Sequence, residues 1–138
     1  MHAPKCVIVV DNTVGIGLLS NAVAVLSMTL GKLHPDLVGE DLPDASGRLH
    51  SGLIRITLPV LAATPNQLVD IARQAGRAPS DRLSVVGFSE IARRERTYDA
   101  YAAALAATEP DDLRYLGLGL YGDRALVSSM SGSLRLVR

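Results

Sequence analysis

Lys5-Cys6-Val7-Ile8-Val9-Val10, the triplet Asp11-Asn12-Thr13, and the charge-free run from Val14 to Gly31 decide how this chain is built. Beyond Lys5 the first stretch is apolar and largely β-branched, the pattern of a strand buried on both faces. The polar triplet breaks it and offers oxygens that can cap the next element. Val14 to Leu33 is long enough for about five helical turns, and Gly31, Lys32 and Pro35 are helix-ending signals. A buried strand feeding a long apolar helix is the opening of an α/β layer.

Working outward, Pro35 to Gly52 is loose and punctuated by glycines, with Asp36, Glu40, Asp41 and Asp44 as a local acidic cluster. Asp44-Ala45-Ser46-Gly47 reads as a turn joining a small hairpin. Leu53 to Val60 alternates apolar residues with Arg55 and Thr57, which predicts a half-exposed strand, and Pro59 places its end at a sheet edge. Thr64-Pro65-Asn66-Gln67 carries a capping box and a proline at the first helical position, followed by Leu68, Ile71, Ala72 and Ala75 on one face. Leu83 to Phe88 predicts another short buried strand. Thr97 opens an Ala-rich helix with Tyr98, Tyr101, Ala102 and Leu105 on one face. Arg114 to Tyr121 is a strand alternating with glycines, Asp123 caps a last short helix ending at Gly132, and Leu134 to Val137 is a terminal strand. This alternation of strand and helix predicts one domain over residues 1–138. Its expected form is a three-layer α/β/α sandwich around a mixed, mostly parallel sheet.

The composition narrows the function classes. Fourteen basic residues balance fourteen acidic ones among 138 residues. A chain that lives on phosphate neutralisation would carry a basic excess. One cysteine, Cys6, excludes a disulfide framework and a thiolate metal cluster and suits a reducing compartment. Asp11-Asn12 interrupts the apolar N-terminal stretch, which argues against an export signal or membrane span. The expectation is a cytoplasmic protein.

Few residues carry chemistry. Gly15-Ile16-Gly17 before the helix lacks the third glycine of a dinucleotide fingerprint and lies four residues past the strand. Gly17, Ser20, Ala24, Ser27 and Gly31 form a stripe of small side chains, suited to close helix packing, as in a dimer. His2, His34 and His50 have no metal-ligand spacing, so neither metal nor cofactor is expected. His50 sits in a polar loop where it could act as a base. Asp11 lies at the carboxyl end of the first strand, where α/β folds gather their sites, and could equally cap the helix. Asn21 is an amide on an otherwise apolar helix, placed to bond a loop or face a pocket.

Taken together, the two ends of the chain resemble the type 2 peptidyl-tRNA hydrolases. The resemblance lies in Lys5–Val10 with Val14-Gly15-Ile16-Gly17, and in Ser131-Gly132-Ser133-Leu134-Arg135-Leu136. It implies that fold and a habit of dimerisation, with Ser89 to Asp112 as an insertion. The whole chain is still more similar to the domain-of-unknown-function 2000 family. The features carrying that likeness are Asp11-Asn12, the Asn21 helix, Arg96-Thr97-Tyr98 and Leu120-Tyr121-Gly122. The hydrolases' Gly-Lys-Gly-Lys is replaced here by Gly15, Ile16, Gly17 and Leu18. Their helix histidine falls near Val25, their strand-ending aspartate at Gly87 or Phe88, and their terminal histidine at Ser133. The cations that would meet a tRNA acceptor end are therefore missing.

The expected function is binding of a small or peptide-like ligand where the first strand meets its helix. Asn12, Gly15, Gly17 and Asn21 would line the site, with Ser131 and Ser133 nearby and Asp11 or His50 as a base for any ester or amide chemistry. Two alternatives are a peptidyl-tRNA hydrolase with substituted residues, whose sign would be a basic groove of Arg93, Arg94, Arg96 and Arg124, and a non-catalytic homodimeric interaction protein.

Overall fold

A computed structural model describes residues 3–138. In chain order run β1 (Lys5–Asp11), α1 (Ile16–Leu33), β2 (Leu42–Pro43), β3 (Leu49–His50), β4 (Val60–Ala63), α2 (Pro65–Arg77) and β5 (Leu83–Ser89). They are followed by α3 (Glu90–Arg94), α4 (Tyr98–Ala106), β6 (Tyr115–Gly122), α5 (Arg124–Ser131) and β7 (Arg135–Leu136). Five strands form one sheet in the order β5-β6-β1-β4-β7, and β2 and β3 form a separate hairpin around the Asp44–Gly47 turn.

β1 is the central strand, and its alternation builds two cores. Cys6, Ile8 and Val10 face α1 through Leu19, Ala22, Leu26 and Leu30. Val7 and Val9 face the other way, packing with Leu68, Ile71 and Ala75 of α2 and Val127 and Met130 of α5. Helices therefore cover both faces of the sheet. β6 shows why α1 fits so closely: a side chain at Gly117 or Gly119 would start 2.9 Å from the Leu26 Cδ1 or 2.8 Å from the Leu30 Cδ1. Leu118 and Leu120 of β6 fill the opposite side, in the α2–α5 core, whereas Leu116 joins the α1 core.

The sheet is mixed but mostly antiparallel, which corrects the expected parallel majority. β1 and β4 are parallel, whereas β1–β6, β5–β6 and β4–β7 are antiparallel. Alternation of strand and helix misleads because α3 and α4 do not carry the chain across the sheet. They form a long excursion between neighbouring antiparallel strands, so β5 and β6 are a wide hairpin.

Local boundaries shift for similar reasons. Of the expected 53–60 strand only Val60 joins the sheet, as the first residue of β4 (Val60–Ala63). Leu53 and Ile54 lie exposed, with Ile54 bridging only to Val38. Pro59 marks no edge: β4 lies between β1 and β7, and the Pro59 carbonyl accepts the Ile8 N–H at 3.0 Å, using the one backbone group a proline has. β5, expected to be buried, is an edge strand with alternating exposure. No residue of α4 is buried, so the expected packing face of Tyr98, Tyr101, Ala102 and Leu105 does not form, and Tyr98 is 82% exposed. The capping box at Thr64 and the Asp123 cap of α5 are both present. α1 is long and apolar enough to cross a membrane by length and composition; in this fold its inner face lies on the sheet.

The glycine positions yield a graded test. A Cβ on Gly122 would lie 2.2 Å from the Arg82 backbone oxygen, an atom that cannot move without breaking the strand end. Gly122→Ala should destabilise by about 1–3 kcal/mol or more. Gly119→Ala, which meets side chains rather than backbone, the Leu30 Cδ1 at 2.8 Å and the Ile8 Cδ1 at 3.5 Å, should cost less. Urea denaturation of the two variants checks the order.

Candidate functional site

β1 and β4 are the parallel pair among the described strands, and a helix starts just beyond the carboxyl end of each. α2 is closed by its Thr64–Gln67 capping box. α1 starts at Gly15 with no side-chain cap and no acid in its first turn, so its leading N–H groups have no side-chain acceptor. Between these helix starts lies a groove of about 660 Å³. Asn12, Val14, Ile16 and Leu19 form one wall, Ala62 and Gln67 the other, and the segment from Ser133 to Arg138 runs along it. Its charged lining residues are Arg135 and Arg138, and no acidic residue lines it. The arrangement offers N–H donors, two guanidinium groups and an apolar floor, which suits a ligand with a carboxylate or carbonyl at one end.

Asp11 is fully buried, and its role is local. Its Oδ1 accepts the Thr13 backbone N–H at 2.8 Å and the Thr13 hydroxyl at 2.6 Å, an Asx turn that swings the chain from β1 toward α1. It does not cap α1, contrary to that expectation, because the chain needs Thr13 and Val14 to reach the Gly15 cap. Oδ2 has no hydrogen-bond partner, and the nearest cation, the Arg114 guanidinium, stands 3.8 Å away. Asp11 shapes the rim of the groove without lining it.

The remaining expected site residues are dispersed. Asn12 and Ser133 line the groove. Gly15 and Gly17 open onto solvent, with nothing within 4 Å of where a Cβ would stand. Asn21 lies one turn too far along α1 and faces a different cleft, beside β5. Ser131 is buried, and its hydroxyl donates to the Val127 carbonyl at 2.6 Å, so it is committed within α5. His50 sits on the exposed hairpin against Asp44 at 2.8 Å, lining a separate depression with Glu40 and Arg55. The structure therefore does not bring Asp11 and His50 to one site.

Nor does it assemble the expected basic groove. Arg93 is bonded to Glu90 and Arg94 to Glu95. Arg124 donates to the Ala3 carbonyl, near the start of β1, whereas β5 delivers Arg93–Arg96 near its far end. His34 bonds Ser84 at 2.8 Å and packs on Tyr121, a structural role. His2 lies outside the described residues. Among the described residues no group of three His, Cys, Asp or Glu could hold a metal ion. Sequence reasoning missed Gln67, Arg135 and Arg138 as groove residues. The two arginines at the terminal strand were the available signal, but only the fold shows that β7 returns beside β4.

This arrangement defines an α/β protein with a groove at the carboxyl ends of one parallel strand pair. The chain belongs to the DUF2000 family, described as a protein of unknown function, whose model matches residues 4–138. A solved protein of unknown function from Agrobacterium tumefaciens is similar in fold, with a TM-score of 0.88, 18% identity and 100% of each chain covered. No curated protein matches the chain.

These environments set two titrations. Hydrogen bonds from Ser46, then His50, hold the Asp44 carboxyl down at about 2. The lowered value means that the Asp44 bonds support the hairpin at neutral pH. That support weakens below about pH 4 and is lost as the pH falls through about 2. Ser46→Ala should move the NMR titration of Asp44 upward. Burial pushes the Cys6 thiol up to about 11, so a thiol reagent should label it only after unfolding.

Proposed function

We propose that the groove between the starts of α1 and α2 binds a small or peptide-like ligand through an anionic end. The observation that carries this reading is the placement of Arg135 and Arg138 beside the uncapped start of α1, with no acid lining the space between. Ligands of α/β proteins gather at the carboxyl ends of parallel strands, and here β1 and β4 supply that position. The lining suits binding rather than turnover. Asp11 has one oxygen engaged by Thr13 and the other sealed from solvent, and His50 lines another depression. The fold underlying the proposal is the three-layer peptidyl-tRNA hydrolase type, and the protein is read as cytoplasmic.

The test is an NMR titration with N-acetyl-alanyl-alanine and with its C-terminal amide. The free acid should shift the amides of Asn12, Ile16, Gln67 and Ser133. Arg135→Ala with Arg138→Ala should weaken it about tenfold, the loss of roughly one charge-assisted hydrogen bond. Equal binding of the amide, or shifts elsewhere, would sink the proposal. Incubation with peptidyl-tRNA should release no tRNA; steady turnover would favour a hydrolase instead.

A second reading concerns assembly. α1 turns Ile16, 76% exposed, and Met28, 80% exposed, outward alongside the small-residue stripe, with no charge before Lys32. Such a face suits a second copy of the chain. Sedimentation equilibrium should show a dimer that Met28→Glu dissociates; a monomer at every concentration would refute it.

A further inference from the structure

The excursion between β5 and β6 raises a question that stability does not answer. α4 buries no side chain and packs mainly against α3, so it adds little to either core. What it does is close one side of a second cleft of about 540 Å³, whose other walls are α1 and the end of β5. This volume lies within the range of small-molecule sites.

Its lining divides into an apolar, aromatic body and a polar rim. Val25, Phe88 and Tyr101 supply the body and Tyr98, largely exposed, stands at its open edge, the two tyrosines edge to face with centroids 5.8 Å apart. Such a pair leaves ring faces and edges for a third aromatic group. The rim holds Asn21 and Arg96, neither of which makes a side-chain hydrogen bond or ion pair among the described residues. Arg93 and Glu95 also line the cleft, and both are matched: Arg93 is held by Glu90, and Glu95 by Arg94. Arg96 is thus the cation left over in the cleft.

We infer that the cleft formed by α1, β5 and the α3–α4 excursion is a second ligand site, taking a small aromatic carboxylate. The ring packs against Tyr98, Tyr101 and Phe88, the carboxylate accepts from the Arg96 guanidinium, and the Asn21 amide donates from the opposite wall. The site is independent of the groove at β1 and β4, which shares no lining residue with it.

The experiment uses phenylacetate, phenylacetamide and acetate as probes, titrated into isotope-labelled protein. Phenylacetate should shift the amides of Asn21, Gly87, Thr97 and Tyr101, with half-saturation at or below about 10 mM for a ligand of this size. Arg96→Gln should weaken it about tenfold, to the level of phenylacetamide, whose own binding should not change. Arg77→Gln, on α2 and outside the lining, should leave phenylacetate binding intact. Acetate alone should produce no saturable shift at these residues. Equal affinity for phenylacetate and phenylacetamide, unchanged affinity in Arg96→Gln, or no shift at these four amides would overturn the assignment. Because the groove reports through Asn12, Ile16, Gln67 and Ser133, failure at one site is distinguishable from failure at the other.

Discussion

The seating of α1 on the glycines of β6 is the constraint on which the architecture depends. Leu26 and Leu30 descend onto Gly117 and Gly119, so the helix axis approaches the sheet more closely than larger residues would permit. That approach buries Ile8 and Val10 completely and commits β1 to the middle of the sheet. β1 in turn holds β4 on one side and β6 on the other. The carboxyl end of the parallel pair, and hence the groove, is fixed by a contact made on the helix-facing side of a different strand.

Much of this was legible in residues whose signal is local. The β-branched run of β1, the capping box at Thr64, the Asp123 cap and the hairpin turn at Asp44 each depend on neighbours a few positions away, and each forms as expected. Strand direction is not local. It depends on whether a connection crosses the sheet or returns beside its own strand, and the Ala-rich sequence of α4 looks the same in both cases. Likewise Leu53–Leu58 has a strand pattern, yet strand pairing needs a free edge, and β4 takes the place beside β1.

The candidate site was legible in part. Asn12 and Ser133 reach the groove because each lies next to an element whose end the sequence marks clearly. Asn21 was recognised as an amide facing a pocket or a loop, but which pocket depends on its turn of α1. Asp11 shows the converse: a carboxylate at the strand end proves to be sealed by Thr13 and the neighbouring strands. Proximity in sequence to a strand end sets where a residue is, but the alternation of the pleat sets which way it points.

β5 closes the sheet on one side with seven residues that include neither a charge nor a proline, and Val85 among them is 40% exposed. Natural sheets blunt such borders with lysines, prolines or covering loops, because an unpaired row of amides and carbonyls is a template for another chain. Here protection rests on α1 and α3 staying docked beside the strand. In a chain that had formed β5 and β6 before placing those helices, the bare edge would offer a second molecule a strand to pair with. For such a species the yield on refolding would depend on protein concentration as well as on the stability of the finished fold.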